Sequence, residues 1–270
     1  MDGLAGAAAK VMLLLGVSAE PTVIAYFGLA ATVWLACGWL LPRSFPSRKI
    51  RPDWPPARQY WAECLKSLRM IIVSSAVLII FNYFIFPILY AWFGAVPKVH
   101  DPKWVLASFA ATLVAHDTYF YWTHRLMHHP RLFRWMHLAH HRSFNPTPFS
   151  AYSFSFGEAV VQSLFLPLWF WITPTPIGVI VAEILFQVVH NMIDHSGYEV
   201  FPADRHGRPL VDWFKTVTHH DLHHEDGGNY ALFFTWWDRL MATEHPAYYA
   251  RFGRAVARSL PAAATTPGPV

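Results

Sequence analysis

The chain has 270 residues, enough for one substantial domain. It is 54% hydrophobic and 17% aromatic but only 14% charged, where an average soluble chain carries about 25% charged residues. That deficit points to a bilayer as solvent. The net charge of +4 falls in loops between apolar runs and forms no nucleic-acid-binding patch. Cys37 and Cys64 lack metal-ligand spacing and are expected to be reduced thiols.

The first twenty residues, MDGLAGAAAKVMLLLGVSAE, read as a short interfacial or additional helix, with a signal peptide as the alternative. Pro21–Leu41 is the first apolar run long enough to cross a hydrocarbon core, which takes about 20 residues. Met70–Val96 is the second, with a kink expected at Pro87. Trp104–Trp122 is the third; its second half carries His116 and Asp117 and is less lipid-like. Residues 157–172 and 176–193, joined by the helix breakers TPTP, are slightly short and predict a hairpin. The fold expected is all-α: a multi-pass membrane protein with about four to five membrane helices and a histidine-rich helical cap. The division expected is N-terminal membrane helices over 1–103, a catalytic region over 104–250, and a disordered tail over 251–270.

Lysine and arginine set the orientation. Residues 42–69 hold Arg43, Arg48, Lys49, Arg51, Arg58, Lys66 and Arg69, whereas the turn before the third span holds only Lys98 and Lys103. The 42–69 loop is therefore expected to be cytoplasmic, in a bacterial inner membrane or the endoplasmic reticulum. The third span then returns the chain to that side at His124, so every histidine cluster lands on one face.

Four histidine groups follow: His124-X-X-X-His128 with His129, His137-X-X-His140-His141, His190 to His195, and His219-His220-X-X-His223-His224. Helical residues three and four apart share a face, so His124 and His128 can share a metal, and each HisXXHisHis can be divided between two. His190 and His195 lie about 140° apart on an ideal helix. Either the helix unwinds before Gly197, or one of the two ligates directly and Asn191 or Asp194 holds a water. Imidazole suits Zn, Cu, Fe and Ni, and eight to ten histidines exceed one coordination sphere, so two metals follow. No GluXXHis of the soluble di-iron bundles occurs, and no HisGluXXHis of the zinc proteases. Neutral ligands on two divalent ions favour reduced oxygen species, for which iron has the redox steps. The chemistry expected is O2 activation at two iron ions, aimed at a lipid C–H bond. A non-redox metal transporter, a metal-dependent hydrolase and a di-haem carrier are the rival readings.

The segments DTYFYWTHRLMHHPRLFRWMHLAHH, HNMIDHSGYE and THHDLHHEDGGNYALFFTWWDRLMATEH, in that order, resemble the fatty acid hydroxylase/sterol desaturase superfamily over about Ala115–Glu244. SFNPTPFSAYSFSFGEA resembles its sterol desaturase branch. The resemblance implies a membrane di-iron enzyme that uses O2 and external electrons to hydroxylate or desaturate a lipid. It implies His124, His128, His137, His140, His141, His220, His223 and His224 as ligands. His190 and His195 fall in the family's variable third motif, and His129 and His219 fall behind the ligands.

Asp117, two turns before His124, is expected to orient a ligand imidazole. Asp194, Asp221 and Asp238 are weaker candidates for that role, and Asn229 and Tyr230 for lining the cavity. Trp236 and Trp237 read as interfacial anchors. His100, His206 and His245 read as structural; His116, about two turns before His124 and near the same face, reads first as a hydrogen-bonded residue inside the bundle. With no GlyXGlyXXGly and no HisProGlyGly, electrons are expected from a separate cytochrome b5-like or ferredoxin-like donor, steered by Arg125, Arg131, Arg134 and Arg142. Those arginines equally suit membrane anchoring.

Overall fold

A computed structural model describes residues 2–44, 48–85, 101–173 and 175–257, with side chains for 19–43, 48–83, 101–173 and 175–257. Helix α1, Asp2–Leu35, continues through a π-helical turn, Ala36–Leu40, to Ser44. The interfacial helix and first span expected separately are thus one helix running through Pro21. Membrane helices tolerate an internal proline where neighbouring groups or local helix adjustments satisfy the carbonyl it frees.

Helix α2, Ala57–Ile80, begins inside the expected 42–69 loop and passes into a π-helical turn, Phe81–Ile85. Residues 57–69 are helical because their polar side chains have partners in the following cap. Gln59 Nε2 donates to the Asn145 carbonyl at 2.7 Å and Lys66 Nζ to the Ala139 carbonyl at 2.9 Å. Arg69 donates to the Phe154 carbonyl, and the Thr147 hydroxyl to buried Glu63. Pro87 and the turn expected after it lie outside the described residues.

Helix α3, Pro102–Met127, starts where Asp101 accepts the Lys103 amide at 2.8 Å and Pro102 presets the first turn. Two short helices, α4 (Pro130–Met136) and α5 (Leu138–His141), precede a 3₁₀ turn at Pro148–Tyr152. The expected hairpin appears as α6 (Phe156–Ser163), α7 (Phe165–Ile172) and α8 (Ile177–Asp194). Helices α9 (Val217–Asp226), α10 (Trp236–Leu240) and α11 (Tyr248–Ala257) close the cap. The described residues hold no strand, only isolated bridges.

Among the described residues, three helical stretches are long and apolar enough to cross a membrane: Ala19–Arg43, Ala57–Tyr83 and Ile177–Asp194. The protein is a multi-pass membrane protein. Helix α3, expected as a span, has 26 residues but is not among them; buried Ser108, Thr112, His116 and Asp117 line its inner face. Ile24, Ile72, Ile80 and Leu185 stay exposed on the outside of the spans, as lipid contact requires.

Tyr26, Ala30, Ile71, Ala151 and Met192 knit α1, α2, α8 and the 3₁₀ turn into one core. The Tyr26 hydroxyl accepts the Tyr152 amide at 3.1 Å. In the cap, Leu222 packs against Tyr248, Phe252 and Val256. Residues 251–257, expected to be disordered, are therefore helical because one face of α11 is buried; 258–270 lie outside the described residues.

Candidate metal centre

Helix periodicity deals the histidines into two groups. His124 and His128 stand one turn apart at the end of α3. His137 links α4 and α5 with φ −137°, which turns His140 and His141 toward different neighbours. On α9, His220 and His224 share a face while His223 points aside. Thr216 caps α9 by accepting the His219 amide at 3.3 Å.

The first quartet is His124, His128, His137 and His223; the second is His140, His195, His220 and His224. Within each, the ligand atoms lie within 4.8 Å of one another, and all but His128 are buried. In the first, His124 Nε2 is 2.9 Å from His137 Nε2. In the second, His195 Nε2 is 3.0 Å from His220 Nε2 and 3.4 Å from His140 Nε2. His141 joins the two: its Nε2 is 3.2 Å from His128 Nε2 and 3.1 Å from His223 Nε2, and its ring is 5.0 Å from that of His224.

The opposite ring nitrogens reveal what these clusters fit. His124 Nδ1 faces the Tyr230 carbonyl at 3.0 Å, His223 Nδ1 the Gly228 carbonyl at 2.5 Å, and His195 Nδ1 the Asn191 carbonyl at 2.7 Å. His137 Nδ1 faces the Glu158 carboxylate at 2.6 Å. Carbonyls only accept, so the proton sits on Nδ1 and Nε2 keeps its lone pair. Lone pairs aimed at one another at such distances repel unless a cation lies between them. Four nitrogens bound tetrahedrally at 2.0–2.1 Å lie about 3.3 Å apart, close to the separations here. The residues fit metal ions.

Burial, the largest cause, holds the imidazoles neutral: His128 is pushed down to about 3, and His141 and His195 to about 4. His140, His223 and His224 are pushed well down by burial and then by neighbouring imidazoles. The packed rings, with centroids 4.4 Å apart at His195 and His220 and 4.6 Å at His124 and His137, leave no slot for a porphyrin. The histidines gather at the ends of helices rather than along a path through the spans, unlike a transporter.

Other sequence candidates lie elsewhere. His190 belongs to neither quartet. Its Nδ1 is 3.0 Å from Asp194 Oδ2, which Lys215 Nζ also approaches at 2.9 Å. Helix α8 ends at Asp194, which leaves His195 turned into the cluster and His190 pointing away. The Asn191 amide donates to the Ala151 carbonyl at 2.7 Å, so the side chains of Asn191 and Asp194 are both engaged outside the quartets. Asp117 orients no imidazole: its carboxylate accepts the amides of Phe233 and Phe234 at 2.7 and 3.1 Å and Trp236 Nε1 at 2.7 Å. Three donors of one turn converge on it, which outcompetes a single ring N–H.

His129 is exposed and caps α4, accepting the Arg131 amide at 3.4 Å. His219 packs on Tyr248 and approaches Asp238 at 3.8 Å, away from the other imidazoles' nitrogens. Asp221 pairs with Arg51 at 2.8 Å, and Asp238 accepts the amides of Tyr230 and Ala231. Asn229 braces the turn through the His219 carbonyl and the His245 amide. Trp237 Nε1 donates to Thr118 and its ring stacks on Tyr121, while Trp236 stays partly exposed.

Glu158 went unnoticed in the sequence. Its signal was the Ser155-X-X-Glu158 capping box, which marks a helix start but says nothing of His137 beside it. Gly228, at φ +70°, is required because a Cβ there would lie 2.8 Å from the Thr243 carbonyl oxygen.

A helical membrane protein with two buried histidine quartets is of the membrane histidine-cluster class, each quartet being able to hold a metal ion. The fatty acid hydroxylase family model matches residues 109–243, and the chain belongs to that family. It is 28% identical to methylsterol monooxygenase 1 of Danio rerio over 73% of this chain and 67% of that protein. It is 29% identical to Delta(7)-sterol 5(6)-desaturase of Gibberella zeae over 50% of this chain and 41% of that one. It is 27% identical to cholesterol 25-hydroxylase of Rattus norvegicus over 72% of this chain and 64% of that one. The chain thus spans about two thirds or less of these relatives, all of them oxidoreductases by name. No solved structure matches the chain.

Proposed function

We propose that the chain is an O2-dependent membrane oxidoreductase that holds two iron ions in its histidine quartets and hydroxylates or desaturates a sterol-like lipid. The observation that carries this reading is the convergence of uncharged imidazoles into two groups, with the His141 nitrogen against the first and its ring beside His224 of the second. Bound there, iron supplies the redox steps that C–H oxidation by O2 requires. The residues proposed to hold it are His124, His128, His137 and His223 in one group and His140, His195, His220 and His224 in the other, with His141 between them. His190, although expected as a ligand, is left out.

The protein's own work is positioning. Glu158 fixes the His137 ring, and the carbonyls of Tyr230, Gly228 and Asn191 fix His124, His223 and His195. Beneath the cap lies a cavity of about 400 Å³ between the membrane helices, which suits lateral entry from the bilayer. Phe120 and Phe154 line it, with rings 4.8 Å from His124 and 5.4 Å from His140. An apolar carbon reaching the quartets passes between these rings. Arg131, Arg134 and Arg142 are exposed on the cap and suit an acidic electron donor of the cytochrome b5 or ferredoxin kind. A cytoplasmic cap rests on Arg43 at the end of the first span and on Arg48, Lys49 and Arg51 in the loop after it.

Metal analysis of the purified protein, with lipid profiling of cells carrying wild type or His140→Ala/His141→Ala, tests the reading. About two irons per chain and a lipid that gains oxygen or unsaturation only with wild type are expected. Stoichiometric zinc with an unchanged lipid profile overturns it.

A further inference from the structure

The cavity contains polar groups that the metal centre does not use. His116 Nδ1 pairs with Glu183 Oε1 at 2.5 Å across α3 and α8, and the imidazole lies flat on Phe165 at 4.0 Å. The Tyr152 hydroxyl donates to Gln187 Oε1 at 3.0 Å. All four side chains line the cavity, whose surface is otherwise mostly apolar. Neither His116 Nε2 nor Gln187 Nε2 has a hydrogen-bond partner among the described residues, and the Gln162 amide, on α6 across the same cavity, is likewise unpartnered.

An ionisable pair among membrane helices is costly, and it is retained where it meets a substrate or an ion. This pair is too small and too poor in oxygen ligands for a hard cation. With Nδ1–H given to Glu183, His116 Nε2 is an acceptor, while Gln187 Nε2 is a donor. On the wall formed by α3 and α8, one acceptor and one donor suit a hydroxyl group, which gives one hydrogen bond and takes another.

The depth of these groups is set by two independent helices. His116 precedes His124 by eight residues on α3, and Gln187 precedes His195 by eight on α8. At 1.5 Å per residue, each lies about 12 Å along its helix from a quartet. We propose that His116, Glu183, Gln187 and Tyr152 form a recognition site for the hydroxyl group of the lipid substrate. The site holds that group about 12 Å from the carbon presented to the histidines. It rests on the lipid-oxidation reading and sharpens it: the substrate carries its polar group remote from the carbon oxidised, and the two ends are read by opposite ends of one cavity. A hydroxyl left unbonded in such a chamber is strongly disfavoured, so the site discriminates by polarity rather than by shape alone.

Competition binding to the metal-loaded protein in lipid nanodiscs tests this, with two probe pairs: cholesterol against cholestane, and octadecanol against octadecane. Wild type is expected to prefer the hydroxylated member of at least one pair by about tenfold, the worth of one to two hydrogen bonds. Gln187→Leu is expected to cut the preference about threefold or more without weakening binding of the hydrocarbon. The double variant His116→Phe/Glu183→Leu removes both members of the buried pair, so that no orphan charge remains to unfold the protein. It is expected to bring the preference close to one. No hydroxyl preference in either pair overturns the proposal even if lipid oxidation and two irons are found, as does an equal loss of both members in both variants. The metal content and lipid profile report on the oxidase reading independently of this measurement.

Discussion

The two quartets use the same side chain eight times but are built differently. In the first, three of four rings are locked by an acceptor behind them: Tyr230 and Gly228 carbonyls and the Glu158 carboxylate. In the second, only His195 is locked in this way, while His140 Nδ1, His220 Nδ1 and both nitrogens of His224 are buried without a hydrogen-bond partner among the described residues. A ligand held in its binding orientation loses less entropy on meeting metal, and an acceptor behind it makes it more basic. Identical ligands therefore do not make equivalent sites: the first quartet is the more preorganised and the one with a carboxyl group behind it.

Removing a ring from each quartet gives the largest effect. His124→Ala and His220→Ala are each expected to lower metal content from about two ions per chain to about one. The ion retained by His220→Ala should resist a chelator for longer than the one retained by His124→Ala. Elemental analysis during chelator challenge checks this, and equal rates erase the distinction. Glu158→Gln comes next. It keeps the shape but replaces the carboxyl group behind His137, and losing the partner that orients a ligand ring costs about 10–100-fold in metal affinity. Competition with a chromophoric chelator should show that loss on one of the two ions only.

Acid acts on both quartets. In the metal-free protein, burial lowers His128 to about 3 and His141 and His195 to about 4, whereas unfolded histidine titrates near 6.5. These folded-state values are depressed, so the unfolded chain takes up protons that the fold refuses. Stability is fully present above about pH 6.5 and is lost progressively as the pH falls toward about 4. Thermal unfolding of the metal-free protein across that window should show a falling Tm; a flat profile would mean the rings are not desolvated. Tyr230→Phe should do least. Its carbonyl, not its hydroxyl, holds His124, so metal affinity is expected to change by less than about twofold.

Much of this was legible in the chain. The spacing of His124/His128, of His137/His140/His141 and of His220/His223/His224 follows from helix geometry, and division of the HisXXHisHis triplets between two histidine groups was readable from it. The helical class and the membrane setting were readable from long apolar runs. The limits of those runs were less so, because Lys66 and Arg69 look like loop residues until the carbonyls of Ala139 and Phe154 are placed beside them. Asp117 shares a helix face with His124, yet the turn at 233–236 claims its carboxylate.

What the sequence determined by itself is everything local: which residues share a helical face, where apolar length suffices to cross lipid, and which side chains have lone pairs to offer. Tertiary structure alone decided which partners stand opposite. It sorted His190 from His195, put Glu158 behind His137, and paired His116 with Glu183 across 67 positions of chain. The physical reason is that periodicity fixes direction about one helix axis, whereas a hydrogen bond between helices depends on how two axes pack, and no stretch of a single helix encodes that.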